Sequence, residues 1–278
     1  MLVGCMTEKK NTPTDRRAEI KRRLLIDGSL SVEALAIELG VSVATIRRDL
    51  TILEDTGFVK RTHGGAMVGA PQGADLAFSL REQTDQEAKR LIARTAVGLI
   101  ETEKTFFLND GSTMMAMARE LAALDLKLTV VSCGINVATT LSENPGIQTY
   151  LAGGQVRHRT LGTMGSFVDH MLSMMYADIA FIAAESVCAR EGMTFSYEED
   201  AIIARKMSER AKKTVALVTA RKLLNRDRFT ALSPDMLDLL VTDCDDPKIL
   251  RPFRETGIAI LIAKRTAEGA LNITQFSA

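Results

Sequence analysis

The sequence predicts two unequal domains, a small helical one that ends in a β-hairpin and a larger α/β one built on a mostly parallel sheet. Three observations predict this organisation. Short helical periods that end at glycines fill the region before Gly57, a stretch rich in Gly and Pro covers residues 69–74, and strand-like runs alternate with amphipathic helices from Phe78 onward. We therefore expect domains at 15–69 and 81–278, joined by a linker at 70–80.

Composition narrows the class of protein. The 278 residues carry no net charge, and the first 70 hold 11 Lys and Arg against 9 Asp and Glu. Any contact with nucleic acid must therefore come from local placement of charge. The four cysteines lack disulfide or metal-ligand spacing, and no run approaches the roughly 18 apolar residues of a membrane span. We expect a soluble cytoplasmic protein without a metal ion, a cofactor or a membrane contact.

The first domain is predicted to contain three short helices, because apolar residues recur at helical spacing and glycines end each period. Ile20 and Leu24 lie one turn apart in the first helix, as Leu35 and Leu39 do in the second, which Gly40 closes. The predicted helices cover Asp15–Asp27, Val32–Leu39 and the stretch from Ser42 to Gly57. The second and third helices, joined by a short turn, have the arrangement that projects a helix into a major groove.

The third helix is predicted to be amphipathic, with a polar face suited to DNA. On a helical wheel, Ile46, Leu50 and Leu53 share one side and are expected to face the core. The opposite side carries groups that suit thymine methyls, guanine edges and phosphates, namely Ala44, Arg47, Arg48 and Thr51. The Ser42 side chain is expected to accept a hydrogen bond from the backbone N–H of Thr45 and so to cap the helix.

A basic hairpin follows this helix. Strands at about Phe58–Arg61 and Ala66–Val68 flank Gly64-Gly65, a pair suited to a tight turn. Two adjacent arginines on a lone helix usually form only its solvated face, but the preceding helix-turn-helix and the following basic hairpin favour contact with DNA. His63 is expected either to contact phosphate or to stabilise the turn. The expected DNA-binding residues are Ser42, Ala44, Thr45, Arg47, Arg48, Thr51, Lys60, Arg61 and His63.

The larger domain alternates strands with helices, which predicts a mostly parallel sheet covered on both faces. Amphipathic helices are predicted over Ala88–Glu101, Thr113–Leu124 and Ala201–Lys212. The predicted strands are Thr105–Leu108, Leu128–Ser132, Ile147–Ala152, Ile179–Ala184, Val215–Thr219, Leu237–Thr242 and Ile258–Ala263.

Turns at the carboxyl ends of parallel strands form the usual ligand crevice of such a sheet. Here these turns are rich in small and polar groups, at Asn109–Thr113, Ser132–Gly134 and Gly153–Arg157. Gly111-Ser112-Thr113 opens a helix and offers free N–H groups and hydroxyls to an anion, although ordinary capping explains such a triplet as well. Two such turns together with Arg157 favour a site for a small anion.

The stretch Arg16–Met67 resembles the DeoR-type winged helix-turn-helix. The resemblance rests on Thr-Ile-Arg-Arg-Asp-Leu at Thr45–Leu50 and on Arg-x-His-Gly-Gly-Ala at Arg61–Ala66. It implies a bacterial transcriptional regulator, usually a repressor of carbohydrate catabolism genes.

The resemblance continues to about Asp246 and covers the DeoR-type sensor domain, which shares its fold with ribose-5-phosphate isomerases and binds phosphorylated sugars. Leu108–Thr113 corresponds to the family's Leu-Asp-Ser-Gly-Thr-Thr loop, Leu151–Gly154 with Arg157 to its Gly-Gly segment, and Leu239–Asp243 to its late Leu-Ile-Thr-Asp strand.

This chain departs from the family's pattern mainly at the expected ligand site. The family's Thr-Asn is Ser132-Cys133, its Gly-Ala-Asp-Gly turn is Ala183–Ser186, its Lys-Arg pair is Ala204-Arg205, and its Asp-Ser-Ser-Lys segment retains only Lys222. The expected effector-binding residues are Asn109, Asp110, Gly111, Ser112, Thr113, Cys133, Gly153, Gly154, Arg157, Glu185, Glu199, Arg205 and Lys222.

The sequence thus favours a repressor that binds operator DNA and is released by a phosphorylated sugar or a related anion. We expect a homo-oligomer, a dimer or a tetramer, because paired recognition helices bind paired half-sites. The alternative is a sugar-phosphate isomerase with an accessory nucleic-acid module, since Glu185, Glu199, Asp200 and Lys222 are residue types that shuttle protons. Activation instead of repression is also open.

Overall fold

The computed structural model describes residues 12–27, 29–56, 58–62, 65–68, 74–157, 160–266 and 269–276. The chain divides into two compact units, Met1–Gly73 and Ala74–Ala278. In the described ranges no helix is both long and apolar enough to cross a membrane. The same ranges hold no cluster of His, Cys, Asp and Glu side chains suited to a metal ion.

The first unit is a winged helix-turn-helix, as predicted. Its elements in chain order are α1 (Pro13–Asp27), β1 (Ser29–Ser31), α2 (Val32–Leu39), α3 (Val43–Asp55), β2 (Val59–Thr62) and β3 (Gly65–Val68). The helices enclose a core in which Ile20, Leu24, Leu35, Ile46 and Leu50 are fully buried. The three strands form an antiparallel sheet in the order β1-β3-β2. Strand β1 was not predicted, because three residues are too few to establish a period.

The second unit contains helices on both faces of a sheet. Its helices are α4 (Ala74–Gln83), α5 (Gln86–Val97), α6 (Ser112–Ala122), α7 (Ile135–Ser142), α8 (Ser166–Ser173), α9 (Glu198–Glu209) and α10 (Pro247–Glu255). Its strands are β4 (Thr105–Leu108), β5 (Leu128–Ser132), β6 (Ile147–Leu151), β7 (Gln155–Arg157), β8 (Gly162–Met164), β9 (Ala177–Ala183), β10 (Ser186–Cys188), β11 (Gly192–Phe195), β12 (Ala211–Leu217), β13 (Phe229–Leu232), β14 (Leu239–Thr242), β15 (Ala259–Arg265) and β16 (Leu271–Gln275).

The main sheet has the strand order β16-β15-β14-β12-β9-β4-β5-β6. All neighbouring pairs from β15 to β6 are parallel, and only β16 is antiparallel to its neighbour. The predicted mostly parallel α/β fold is therefore confirmed. A smaller antiparallel sheet, β10-β11-β13, and the hairpin β7-β8 stand outside it.

The core of the second unit lies on the two faces of the main sheet. Alternate side chains of β4 lie on opposite faces of the sheet, since Phe107 belongs to one buried cluster and Phe106 and Leu108 belong to the other. Helices α8, α9 and α10 cover the first face, and α5, α6 and α7 cover the second. This layered arrangement leaves the turns after the parallel strands together at one edge, which we call the carboxyl edge of the sheet.

Part of the stretch predicted to be a linker is helical. Residues 74–80 form most of α4, and Phe78 is buried in the same cluster as Ile92 and Met114. The small side chains of residues 69–74 favoured an irregular stretch, but packing of Phe78 against the sheet's helical layer stabilises a helix there.

Candidate functional site

The third helix of the first unit presents the predicted polar face. Ile46, Leu50 and Leu53 are at most 2% exposed and pack in the core. On the other side Ala44, Arg47, Arg48 and Thr51 are exposed, and Thr45 is partly exposed. We call these four exposed residues the outer face of α3. A face that combines two guanidinium groups with a methyl and a hydroxyl matches the groups on a major-groove floor.

The amino end of α3 is capped as predicted. Ser42 has extended backbone angles, and its Oγ accepts a hydrogen bond from the Thr45 N–H at 3.1 Å. The Ser42 and Thr45 hydroxyls also lie 2.8 Å apart. The turn before them depends on Gly40, which has a φ of 64° and donates its N–H to α2 carbonyls. These bonds fix where α3 starts, and therefore which residues its outer face presents.

A buried ion pair that the sequence did not predict holds α3 against α1. The Asp49 side chain is 3% exposed, and its Oδ2 accepts a hydrogen bond from Nε of Arg16 at 2.5 Å. Nη1 of Arg17 lies 3.9 Å from the other carboxylate oxygen. Asp49 follows Arg48 directly, so this pair fixes the rotation of α3 about its axis at the position of the outer face.

The predicted basic hairpin is present as β2 and β3. Lys60 and Arg61 lie on β2, whereas His63 and Gly64 lie outside the described residues. Gly65 has a different role from the predicted turn, since it is the first residue of β3 and pairs with Ser31 of β1. A Cβ atom at Gly65 would lie against the carbonyl oxygen of Leu30, so only glycine allows this approach of the two strands.

The predicted effector-binding residues lie mainly at the carboxyl edge of the sheet or beside it. Asn109 and Asp110 follow β4, Cys133 follows β5, and Gly153 follows β6. Glu185 follows β9, and Lys222 lies in a single 3-10 turn, Ala220–Lys222, that follows β12. The structure thus brings turns from five neighbouring strands to one edge.

Asn109 joins two of these strands. Its Nδ2 donates to the Ala183 carbonyl and its Oδ1 accepts from the Ala183 N–H, both at 2.9 Å. These two hydrogen bonds connect the turn after β4 to the last residue of β9. Gly111, with a φ of 104°, then directs the chain into α6, whose amino end has no side-chain cap. The N–H groups of that first turn remain suited to an anion.

The Asp110 carboxylate lies against Gly162, close enough to Cys133 for its charge to act on the thiol. A Cβ atom at Gly162 would collide with the Asp110 carboxylate, so this glycine makes room for the carboxylate. The Cys133 thiol is buried, and burial, followed by the negative charges of Asp110 and Asp200, raises its pKa well above the usual value. This part of the edge is therefore acidic, although α6 begins there.

Arg157 lies at the acidic part of the edge and is already paired. One guanidinium nitrogen contacts the Asp200 carboxylate, and the other lies 3.4 Å from Glu199 Oε2 and 3.1 Å from Met164 Sδ. The guanidinium also lies over the Tyr197 ring, 4.6 Å from its centroid. Sequence reasoning missed Asp200 and Tyr197 as its partners, because 40 or more residues separate them from Arg157.

Two further predicted residues make contacts inside the domain. Glu185 Oε2 accepts the Ser196 N–H at 2.7 Å, which connects the turn after β9 to the smaller sheet. Arg205 donates from α9 to the carbonyls of Ala231 and Thr230 at 2.9 and 3.1 Å. The Arg205 side chain therefore fastens α9 to β13. Gly154 packs closely on the carbonyl of Met164, whereas Gly153 borders open space.

A group of four cations lies where β12 and β14 end, and we call it the cation cluster. It consists of Arg81, Lys89, Arg221 and Lys222. Burial, and then the positive charges of Lys222, Arg221 and Arg81, lower the pKa of Lys89. Lys222 Nζ donates to the Ala184 carbonyl at 2.7 Å. Lys89 was not predicted as a functional residue, since its spacing alone suggests a solvated lysine on a helix.

Two polar groups accompany the cation cluster. Asp243, after β14, accepts the Ala220 N–H at 2.7 Å, and burial raises the pKa of its carboxyl group. The Thr219 hydroxyl, before the 3-10 turn, is buried and has no hydrogen-bond partner in the part of the chain that the structure describes. A buried hydroxyl that makes no hydrogen bond to the described residues, close to clustered cations, is suited to donate to an anion.

Comparison with known proteins gives a match along most of the chain. A family model described as the DeoR C terminal sensor domain matches residues 84–244, and one described as the DeoR-like helix-turn-helix domain matches residues 16–72.

Two similar proteins are named as transcriptional regulators. The HTH-type transcriptional regulator GolR of Listeria innocua serovar 6a is 30% identical over 91% of this chain and 99% of its own length. The HTH-type transcriptional repressor GlcR of Bacillus subtilis is 34% identical over 77% of this chain and 82% of its own length. A solved ribose 5-phosphate isomerase A from Methanocaldococcus jannaschii covers 70% of this chain and 81% of its own, with 17% identity and a TM-score of 0.39, a similarity that does not bear on activity.

Proposed function

Because the chain belongs to the DeoR family of transcriptional regulators, we propose that it is a repressor that binds operator DNA through α3 and the β2–β3 hairpin and is released by a phosphorylated sugar. The observation that carries this proposal is the capped α3, which buries its apolar side and presents an outer face of Ala44, Arg47, Arg48 and Thr51.

The DNA contacts divide into two kinds. Under this proposal, Arg47 and Arg48 on the outer face of α3 donate to guanine O6 and N7, and Ala44 contacts a thymine methyl. Lys60 and Arg61 on β2 supply charge for backbone phosphates, which positions the domain without selecting sequence. Because one such small domain makes few contacts, we propose that two copies of the chain bind repeated or palindromic half-sites.

The distribution of charge along the carboxyl edge indicates how a sugar phosphate would be oriented there. The cation cluster and the buried Thr219 hydroxyl, which bonds to none of the described residues, lie where β12 and β14 end, and they suit a phosphate group. At the other end of the edge, the negative charges of Asp110 and Asp200, together with burial as the main cause, raise the pKa of Cys133. Arg157 is paired with Asp200 there. Carboxylates accept hydrogen bonds from hydroxyl or amino groups. We therefore place the phosphate at the β12 end and the sugar hydroxyls at the β4–β5 end.

A two-step experiment tests this function. Thermal-shift measurements with a panel of sugar phosphates, their unphosphorylated sugars and inorganic phosphate identify a ligand, and fluorescence anisotropy with operator DNA then measures release. We expect a sugar phosphate to stabilise the protein and to weaken operator binding through linkage. Lys222→Gln should lose the response to ligand while binding DNA, and Arg47→Ala should do the reverse. If neither step separates these variants, the assignment of the two sites is wrong.

The enzyme alternative has weaker support. Its candidate proton carriers are engaged, since Glu185 accepts a backbone N–H, Asp200 pairs with Arg157 and Lys222 donates to Ala184. The similar proteins GolR and GlcR are named as a transcriptional regulator and a transcriptional repressor. Turnover of pentose or hexose phosphates by the purified protein would reverse this conclusion. Whether a bound operator is repressed or activated depends on its position relative to the promoter, and transcription of a reporter from the operator decides it.

A further inference from the structure

Lys89 connects α5 to the carboxyl end of α4. The residue is 3% exposed, and its Nζ donates to the Thr84 carbonyl at 2.6 Å and to the Arg81 carbonyl. These carbonyls belong to the last turn of α4 and to the residue after it, where a helix lacks internal donors. A single buried ammonium therefore supplies the end of α4 with hydrogen bonds.

The charges around Lys89 oppose its protonation. Burial comes first among the causes that lower its pKa to about 7, and the positive charges of Lys222, Arg221 and Arg81 lower it further. Asp85 acts in the opposite direction and raises the pKa of Lys89, but its carboxylate also lies 2.9 Å from Arg221 Nε. At neutral pH about half of the folded molecules must therefore hold a fourth positive charge in the cation cluster.

Burial of the Lys89 charge and this repulsion together weaken the attachment of α4. When α4 detaches, Lys89 reaches water and its pKa returns to the ordinary 10.5, so the detached form binds a proton that the attached form disfavours. Between pH 7 and 10.5 the detached form carries more protons, and the attachment becomes stronger as the pH rises. Below pH 7 both forms are protonated, and the full cost of the buried charge is present.

An anion at the cation cluster reduces this cost. Negative charge beside Lys222 cancels its repulsion of Lys89 and allows Lys89 to stay protonated with its carbonyl hydrogen bonds intact. We propose that occupancy of the anion site fastens α4 to the second unit through Lys89, so that the effector is sensed as the degree of attachment of this helix. The inference rests on the proposed function for the existence of an anion at Lys222.

The position of α4 makes it a suitable output. It is the first element of the second unit, and only residues 69–73 separate it in the chain from β3 of the DNA-binding domain. Phe78 anchors its middle in the core, whereas its carboxyl end is held by Lys89 and by the exposed ion pair between Glu82 and Arg119 of α6. The attachment can therefore change at one end without unfolding the domain.

Hydrogen–deuterium exchange of the full-length protein tests the inference. Exchange of α4 peptides is measured at about pH 6.5 and about pH 9, corrected for intrinsic rates, with and without inorganic sulfate, which keeps its charge over this range. In wild type we expect the corrected opening of α4 to fall by up to roughly 70-fold between the two pH values, and sulfate to slow exchange mainly at the lower one.

Two variants make the test specific. Lys89→Met, which keeps an unbranched buried side chain, should lose both the pH dependence and the sulfate effect in α4. Lys213→Met, which removes an exposed lysine on β12, should behave as wild type. Retention of the pH and sulfate responses in Lys89→Met overturns the inference.

Thermal-shift measurements on the same samples separate this inference from the proposed function. Anion binding without any change in α4 exchange overturns the inference alone. Absence of binding by sulfate, phosphate and every sugar phosphate overturns the proposed effector chemistry and the inference with it. Binding together with slower exchange in wild type and Lys213→Met, but not in Lys89→Met, supports both.

Discussion

The buried Asp49–Arg16 pair holds α3 against α1, and Asp49→Asn tests its contribution. The substitution keeps the shape of the side chain but removes its charge, which leaves the Arg16 guanidinium buried opposite a neutral amide. The two side chains are 3% and 10% exposed. Breaking a buried pair on one side costs about 3–5 kcal/mol, and the residual exposure of Arg16 places this case near the lower end.

A loss of about 3 kcal/mol is large for this unit. A domain of its size is stabilised by roughly 3–8 kcal/mol in total, so Asp49→Asn should remove a third or more of the stability of the first unit. We expect its urea midpoint to fall by more than about 1 M, and operator binding to weaken because fewer molecules present a folded α3. Asp55→Asn, at the exposed end of the same helix, is the matched control and should change the midpoint little.

The chain offers a way to follow the two units separately. It contains no tryptophan, and its three tyrosines, Tyr150, Tyr176 and Tyr197, all lie in the second unit. Tyrosine fluorescence therefore reports on the second unit, while far-ultraviolet circular dichroism reports on both. We expect Asp49→Asn to lose helical signal at urea concentrations where tyrosine fluorescence is unchanged. Coincident midpoints for Asp49→Asn, Asp55→Asn and wild type would refute the reasoning.

Four further outcomes follow from the structure. Arg47→Ala should lower affinity for the operator by about 1–3 kcal/mol and affinity for a scrambled duplex much less, measured by anisotropy, and equal losses on both duplexes would argue against base contacts. Ser42→Ala should cost the first unit about 1 kcal/mol in urea unfolding, through loss of the Thr45 cap, and an unchanged midpoint would contradict this role. Gly65→Ala should cost about 1–3 kcal/mol, because its Cβ meets the Leu30 carbonyl oxygen, and should leave tyrosine fluorescence unaffected. Lys222→Gln should weaken binding of inorganic phosphate, followed by calorimetry, and should also raise the pKa of Lys89 toward its ordinary value, so that α4 exchange depends less on pH.

The sequence predicted those features that depend on local periodicity. The burial of Ile46, Leu50 and Leu53, the cap at Ser42 and the parallel order of alternating strands and helices all follow from spacing of side chains along one segment. The predicted ends of individual helices and strands were less accurate. The helix predicted over Ala201–Lys212 ends at Glu209, because residues from Ala211 onward pair with β9. Such pairing depends on a partner strand distant in the chain.

Side-chain contacts between distant segments were not predictable. Arg157 has the residue type and position of a phosphate ligand, yet Asp200, 43 residues later, pairs with it. Lys89 has the appearance of a solvated lysine, yet it is buried and donates to a carbonyl at the end of α4. Gly64-Gly65 suggests a turn, although the requirement for Gly65 comes from β1. In each case the decisive neighbour is set by the tertiary fold.

The burial of Cys133 gives the protein a chemical reporter. A thiol attacks alkylating reagents as the thiolate, and the raised pKa of Cys133 keeps that form scarce while the surrounding side chains exclude the reagent. Cys133 therefore reacts only in molecules whose carboxyl edge has opened. The rate at which a maleimide labels this cysteine, followed by mass spectrometry of its peptide, measures how often the edge opens, with no need for an attached probe.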